Sequence, residues 1–324
     1  MRETHDNKLR LVIALGGNAI LRKGENGTIE EQFTHADEAM ASVARLARAG
    51  HTIMLVHGNG PVVGNIVIRN EAARDTVAPM PLYIADADSE GGIGYMLQQA
   101  LYNRLNADGI RRPIATLVTQ TVVAPDDPAF SRPTKPIGPY YTAAEANQHT
   151  HRDGWIMAEE KGRGWRRLVP SPHPLYIVEA QTAVKLAEEG TIVIVAGGGG
   201  VPVVENSGGM LSGIDAVIDK DRAASLLACA LQADVLAVVM ETDRLYHDWG
   251  SPDARPIDEL DLAEAKRLIT GGEMSLGSVG PKLEACVHFV ESCGGEAVIC
   301  SSAALENAVI GRAGTRIVRG SPNV

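Results

Sequence analysis

The chain has 324 residues, of which 45% are hydrophobic and 22% are charged, and its formal net charge is −10 at pH 7. This size allows one large domain or two lobes, while the acidic balance argues against nucleic-acid binding, which needs a basic surface. The sequence has no apolar run of the roughly 20 residues that cross a bilayer, and its N-terminal residues lack the apolar core of a signal peptide. We therefore expect a cytoplasmic protein that binds neither nucleic acid nor membranes.

Apolar segments alternate with amphipathic ones along both halves of the chain. In the first half this pattern predicts strands at 9–15, 52–56 and 113–119 and helices at about 35–49, 61–74 and 91–108. It resumes after residue 175, where it predicts helices at 179–189, 219–232, 261–271 and 280–293 and strands at 191–196, 234–240 and 296–300. Such alternation indicates an α/β protein with a mostly parallel sheet and helices on both faces.

The segment between the two halves has a different composition. It is rich in Pro, Gly, His and charged residues, and its aromatic side chains give it something to pack. We predict that 121–174 is a small protruding subdomain or lid. Its histidines His149 and His151 are expected in a surface loop, because no third metal ligand follows at a suitable spacing.

The four cysteines, all in the C-terminal third, lack the spacing of zinc or redox motifs. In a reducing compartment they are expected to be free and mostly buried thiols. They are Cys229, Cys286, Cys293 and Cys300.

Three predicted strands end in glycine-rich turns. Their sequences are Leu-Gly-Gly-Asn-Ala from residue 15, His-Gly-Asn-Gly-Pro from residue 57, and four glycines at 197–200. Glycine lets peptide N–H groups approach an anion closely, and ligands of parallel sheets bind at the carboxyl ends of the strands. Each turn alone could be a tight connection, but together they favour a phosphate site. None matches the dinucleotide or Walker A spacing.

Three lysines stand next to Gly- or Pro-rich segments or at predicted helix starts: Lys135, Lys220 and Lys282. A lysine in the first turn of a helix opposes the helix dipole, so two such lysines suggest a bound phosphate, although a solvated role is open for each one. Phosphoryl transfer to an acceptor that is already an anion needs charge neutralisation and no general base. Asp221 could orient Lys220 or approach Mg²⁺, or it could be an ordinary first-turn acid.

Seven motifs in order along nearly the whole chain resemble the carbamate kinases of the amino acid kinase superfamily. Besides the three glycine turns, they include Pro-Thr-Lys-Pro-Ile-Gly-Pro, Val-Pro-Ser-Pro-His-Pro, Val-Ile-Asp-Lys-Asp and Gly-Ser-Val-Gly-Pro-Lys-Leu. The resemblance implies an open αβα sandwich, usually a homodimer, that transfers a phosphoryl group directly between ATP and carbamate with Mg²⁺. It implies one amino acid kinase domain over 1–324, with an acceptor part at 1–120 and 175–210 and a nucleotide part at 211–324.

The resemblance also implies roles for single residues. Those holding the phosphoryl group and the acceptor would be Gly16, Gly17, Asn18, Gly58, Asn59, Gly60, Gly198 and Gly199. Lys135, Lys220 and Lys282 would neutralise phosphate charge, and Asp221 would organise Lys220. The nucleotide would contact Asp243, Tyr246, Gly277, Ser278 and Lys282.

Several positions depart from the family pattern. Val62 replaces a glutamine, and three carboxylates, Asp86, Asp88 and Glu90, replace neutral residues. These four positions could alter acceptor specificity by contacting a cationic part of a larger substrate or a cation, or the carboxylates could face solvent or a partner chain. Arg244 replaces a glycine in the nucleotide half.

Three functions therefore stay open at the level of sequence. The first is a carbamate kinase. The second is a related kinase acting on an N-substituted carbamate or another small acid with a cationic group. The third is a catalytically silent homologue that binds nucleotide or carbamoyl phosphate.

Overall fold

The computed structural model describes residues 8–17, 20–22, 25–271 and 279–320. Within these ranges no helix is both long and apolar enough to span a membrane. Three sheets carry most of the architecture, and the largest of them has eight strands.

The eight-stranded sheet is mostly parallel, as predicted. Its strand order is β15-β17-β16-β12-β1-β2-β9-β3, and only β16 and β17 pair in antiparallel fashion. The strands are β1 (Arg10–Leu15), β2 (Thr52–His57), β3 (Ile114–Thr116), β9 (Ile192–Ile194), β12 (Val235–Met240), β15 (Glu259–Asp261), β16 (Glu296–Ser301) and β17 (Thr315–Val318).

Helices cover both faces of this sheet. One face carries α1 (Ile29–Arg48), α3 (Leu82–Ala107) and α10 (Leu305–Val309), and the other carries α6 (Ala180–Glu188), α7 (Lys220–Leu231), α8 (Leu262–Thr270) and α9 (Val279–Cys293). Successive strand residues point to opposite faces. In β1, for example, Leu11 and Ile13 pack with α1 and α3, whereas Val12 and Ala14 belong to the core under α7 and α9.

A four-stranded sheet and a small hairpin extend this core. The sheet has the order β11-β10-β4-β8, and the hairpin pairs β13 with β14. Their strands are β4 (Gln120–Val123), β8 (Pro174–Ile177), β10 (Val201–Glu205), β11 (Leu211–Gly213), β13 (Leu245–His247) and β14 (Arg255–Ile257). The periodicity did not predict these short strands.

The segment predicted to protrude contains a three-stranded antiparallel sheet in the order β5-β7-β6. Its elements are α4 (Pro128–Ser131), β5 (Lys135–Tyr141), α5 (Ala143–Asp153), β6 (Ile156–Glu160) and β7 (Gly164–Val169). This sheet packs against α2 (Gly60–Ala72) through a small apolar cluster that includes Val63, Val67 and Ile137. The ends of the 121–174 range, in contrast, form strands of the four-stranded sheet.

Three predicted boundaries are wrong by three or more residues. The helix predicted at about 35–49 begins at Ile29, directly after a capping box formed by Thr28 and Glu31. Tertiary contacts explain the other two. The helix predicted at 91–108 begins at Leu82, because the Asp215 carboxylate accepts the Leu82 amide at 2.8 Å and caps the helix from far along the chain. The strand predicted at 113–119 ends at Thr116. Beyond it, the amide and hydroxyl of Thr119 bond to the Glu90 carboxylate instead of a neighbouring strand.

The cysteine prediction is wrong for one pair. Cys229 near the end of α7 forms a disulfide with Cys293 at the end of α9, whereas Cys286 and Cys300 are free and buried. The expectation of free thiols depended on a reducing compartment, and no local pattern pairs two cysteines that are 64 positions apart. The side-by-side packing of α7 and α9 brings them together. The cytoplasmic location, on which the expectation of free thiols depended, stays a prediction.

Candidate functional site

The first two glycine turns touch each other at the carboxyl ends of β1 and β2. A Cβ atom on Gly58 would lie 2.9 Å from the Gly17 nitrogen and 3.3 Å from Cδ of Lys220. A Cβ on Gly17 would in turn lie 3.5 Å from Cα of Gly60. The close approach of the two backbones therefore requires glycine at position 58, whereas the contact at Gly17 is an ordinary one. The side chain of Lys220 lies at the same place. Gly16 lies beside them at the end of β1.

The third glycine turn closes the site from β9. Gly198 and Gly199 are buried and have φ of 67° and 105°, values that favour glycine. A Cβ on Gly198 would lie 2.4 Å from Nδ2 of Asn59, and one on Gly199 would lie 2.7 Å from the Ile218 carbonyl oxygen. The turn thus packs between the second glycine turn and the start of α7.

The start of α7 gathers the predicted lysines. Lys220 Nζ donates to Asp221 Oδ1 at 2.5 Å, and Lys282 Nζ, from the first turn of α9, donates to Asp221 Oδ2 at 3.2 Å. Lys135 reaches the same segment from β5 and donates to the Ile218 carbonyl at 3.0 Å. Three lysines from separate parts of the chain therefore converge on residues 218–221.

Ion pairing sets the charge state of this cluster. Burial by itself would raise the pKa of Asp221, but the ammonium groups of Lys220 and Lys282 overcome that effect and hold the pKa below its ordinary value. Burial lowers the pKa of Lys135, while the charge of Asp219 opposes this change. The cluster of Lys220, Asp221 and Lys282 carries a net positive charge suited to a phosphate.

Asp219 contributes to this site, although the sequence reasoning gave it no role. Its carboxylate accepts the Asp221 amide at 3.0 Å and caps α7, and it lies 3.9 Å from Lys135 Nζ. An aspartate immediately before a helix is a recognisable capping signal, so the segment Asp-Lys-Asp contained this information.

The three additional carboxylates do not act as one group. Asp88 is exposed, whereas Asp86 and Glu90 are only 3% and 1% exposed. The Glu90 carboxylate accepts hydrogen bonds from Thr119 and from the Gly197 amide at 2.9 Å, so it holds the third glycine turn in place. Burial raises the pKa of Glu90 to about 8, against the effect of these hydrogen bonds. The interpretation of the trio as a joint site for a cationic group is therefore wrong.

Of these three carboxylates, Asp86 is the one that bonds to the second glycine turn. Its Oδ1 accepts from Asn59 Nδ2 at 3.0 Å, and the same amide group lies 3.3 Å from Ser89 Oγ. Val62 is half-buried at the start of α2, where it packs against the core beneath α1 and α3. Asn59 thus connects the second glycine turn to the interior of α3.

His57 ends β2 beside the third glycine turn. Burial lowers the pKa of His57 to about 4, so the ring is neutral at physiological pH. A Cβ on Gly197 would lie 2.3 Å from its Nε2 atom, which shows how tightly the turn packs on the ring. No local pattern around His57 beyond its motif indicates this burial.

The predicted nucleotide residues are described in part. Tyr246 donates to Asp243 Oδ1 at 2.8 Å, and Arg244 Nε donates to Asp243 Oδ2 at 3.0 Å. Arg244 also pairs with Asp258 and so fixes the loop after β12. Asn18, Gly277 and Ser278 lie outside the described residues.

The two histidines do not lie in a loop. Both are part of α5, and His149 Nδ1 lies 2.8 Å from Asp153 Oδ2, with Glu71 close enough to complete a group of three potential metal ligands. The expectation of a surface loop without a third potential metal ligand is therefore wrong. Arg74 and Arg152 already form ion pairs with both carboxylates, so the group acts as a salt-bridge network.

Comparison with known proteins adds to this geometry. Residues 9–301 match the model of the amino acid kinase family. The carbamate kinase of Thermococcus kodakarensis is 42% identical over 313 residues, covering 96% of this chain and 99% of that protein. The carbamate kinase of Halobacterium salinarum is 43% identical over 314 residues, which cover 95% of this chain and 97% of that protein. The structure of carbamate kinase from Giardia lamblia bound to AMP-PNP has a TM-score of 0.90 at 39% identity, covering 97% of this chain and 99% of that one.

Proposed function

The chain belongs to the amino acid kinase family, and we propose that it is a carbamate kinase, which transfers a phosphoryl group reversibly between ATP and carbamate. The observation that carries this proposal is the convergence of Lys135, Lys220 and Lys282 with three glycine turns at one end of the sheet. Relatives with this activity cover nearly the whole chain.

The proposed mechanism is direct in-line transfer without a covalent enzyme intermediate. Charge that spreads over the transferring phosphoryl oxygens is stabilised by fixed ammonium groups and backbone N–H groups. Lys220 and Lys282 supply the charge, and Asp221 holds both side chains before the substrate arrives. Carbamate is already an anion, so the reaction needs no general base at the acceptor.

We propose that Mg²⁺ enters with ATP or ADP, bound by the phosphate oxygens. Asp221 fits the role of positioning lysines better than that of a ligand, because two ammonium groups already occupy its oxygens. When bound, Mg²⁺ would neutralise further phosphate charge.

We also propose which parts of the chain bind the acceptor and which bind the nucleotide. Residues 1–120 and 175–210 would bind the acceptor and the phosphoryl group, and 211–324 would bind the nucleotide, with Asp243 and Tyr246 among its contacts. The range 121–174 would act as a lid that delivers Lys135. The support is that the glycine turns follow β1, β2 and β9, whereas Asp243 follows β12.

We further propose a homodimer that uses the exposed face of α3. Ile84, Tyr95 and Tyr102 lie along this face with 37%, 56% and 58% of their surface exposed. Large apolar groups in such a row favour a protein interface.

The central test measures ATP formation from ADP, Mg²⁺ and carbamoyl phosphate, with Lys220→Ala beside the wild type. We expect turnover to fall about a hundredfold or more, because the lysine stabilises charge in the transition state, while nucleotide affinity falls about tenfold at most. Lys185→Ala, which changes an exposed lysine of α6, is the matched control. Nucleotide binding without any turnover in the wild type would instead indicate a catalytically silent homologue, and full turnover in Lys220→Ala would refute the mechanism.

A further inference from the structure

The buried carboxyl group of Asp86 lies beside the candidate site and forms no ion pair with any residue that the structure describes. Asp86, in the second turn of α3, is 3% exposed, and its Oδ1 accepts from Asn59 at 3.0 Å. Its Oδ2 is buried, and no donor in the described part of the chain bonds to it. Lys135 acts on Asp86 electrostatically, but its ion pair in the described part of the chain is with Asp219 and not with Asp86.

These contacts favour a protonated Asp86. A buried carboxylate with one hydrogen bond and no ion pair is costly, whereas a neutral carboxyl needs only a partner for its O–H group. Because Oδ1 already accepts from Asn59, the proton belongs on Oδ2. Burial raises the pKa of Asp86 well above its usual range, and Asp215 and Glu90 add to the rise, although Lys135 and Asn59 oppose it.

The surroundings of Asp86 belong to the acceptor side of the candidate site. Asn59, its hydrogen-bond partner, packs directly against Gly198 of the third glycine turn. Lys135 of β5, which acts on Asp86 electrostatically, donates to the Ile218 carbonyl next to Gly199 of the same turn. An ionised carboxylate at this place would repel an anionic acceptor, whereas a neutral carboxyl can donate to it.

We propose that Asp86 carries its proton on Oδ2 and donates it in a hydrogen bond to an oxygen of bound carbamate or carbamoyl phosphate. This makes Asp86 a specificity residue for a small anionic acceptor, and the inference rests on the proposed carbamate kinase function. The O–H bond of the Asp86 carboxyl stays intact during the reaction, so Asp86 recognises the acceptor without acting as an acid or a base.

The test compares the KM for carbamoyl phosphate in wild type, Asp86→Asn and Asp86→Ala across a pH series. Asparagine is always neutral and keeps both a donor and an acceptor, so we expect its KM to stay within about threefold of the low-pH wild-type value at every pH. Alanine lacks the donor, and we expect its KM to rise about tenfold or more. The wild-type KM should rise with pH, since the carboxyl loses its proton and then repels the substrate.

Two further measurements complete the design. Asp88→Asn removes an exposed carboxyl from the same helix, and its KM for carbamoyl phosphate should depend on pH as in the wild type. The infrared spectrum of the wild type should contain a protonated-carboxyl C=O band that Asp86→Asn loses, a readout that requires no turnover.

The outcomes separate the inference from the proposed function. The role of Asp86 would be overturned by an equal rise in KM in Asp86→Asn and Asp86→Ala. It would also be overturned if the KM of Asp86→Asn kept the pH dependence of the wild type, or if the wild-type KM fell with rising pH. A wild type that forms no ATP from carbamoyl phosphate would overturn the proposed function, while the infrared band would still report the protonation of Asp86.

Discussion

At the scale of single residues, Asp221 determines how the positive charge of the candidate site is arranged. It accepts hydrogen bonds from Lys220 and Lys282, which lie in the first turns of two different helices. A lysine at a helix N-terminus is unfavourable by itself because of the helix dipole. The shared carboxylate compensates for both lysines and leaves one net positive charge, so the site is prepared for an anion at a modest cost in stability.

Gly58 gives a test of the close backbone approach at the same scale. A Cβ at this position would lie 2.9 Å from the Gly17 nitrogen, closer than real Cβ contacts allow, whereas one at Gly60 would meet Gly17 at an ordinary 3.8 Å. We expect Gly58→Ala to lower the free energy of unfolding by about 1–3 kcal/mol through overpacking, and Gly60→Ala to change it little. Denaturant unfolding of the two variants measures this difference. Equal stabilities would show that the two turns can separate without cost.

At the scale of elements, α7 and α9 act as a pair. Their first turns supply Lys220, Asp221 and Lys282, and their far ends are joined by the disulfide between Cys229 and Cys293. The pair is therefore fixed at both ends, by ionic contacts at the site and by a covalent link away from it.

The disulfide gives the prediction at this scale. It closes a segment with a sequence separation of 64. Its reduction should therefore lower the free energy of unfolding by about 2–4 kcal/mol, chiefly because the unfolded chain gains freedom. Thermal unfolding with and without reductant measures the effect. A variant with both Cys229→Ser and Cys293→Ser should unfold at the same temperature as the reduced protein, and reductant should not change that temperature. Identical unfolding of the wild type under both conditions would contradict the prediction.

At the scale of the whole molecule, the eight-stranded sheet divides the protein into two helical layers. The glycine turns and the lysine cluster lie together at the carboxyl ends of its strands, as expected for a parallel sheet. The helical layer that contains α3 leaves a row of large apolar side chains exposed, and the other layer carries the α7 and α9 pair.

The proposed homodimer can be tested at this scale. Light scattering during size-exclusion chromatography should give twice the chain mass of 34.3 kDa for the wild type. Replacing both Tyr95 and Tyr102 with Glu should shift the protein toward the monomer, because charge would be buried in the interface. Met210→Glu, at another exposed apolar residue, should leave the dimer intact. A monomeric wild type, or dissociation by Met210→Glu alone, would contradict this interface.

The sequence alone determined the α/β class, the parallel sheet and most of its helices, because hydrophobic periodicity is a local property of the chain. It also determined the glycine turns and the three lysines, since each is a short motif with a direct physical role. Tertiary structure alone decided the pairing of Cys229 with Cys293 and the start of α3 at Leu82, which depends on a cap from Asp215. It likewise separated Asp86 and Glu90, which are buried, from Asp88, which is exposed. These features depend on contacts between distant segments, and no local pattern records which segments the fold brings together.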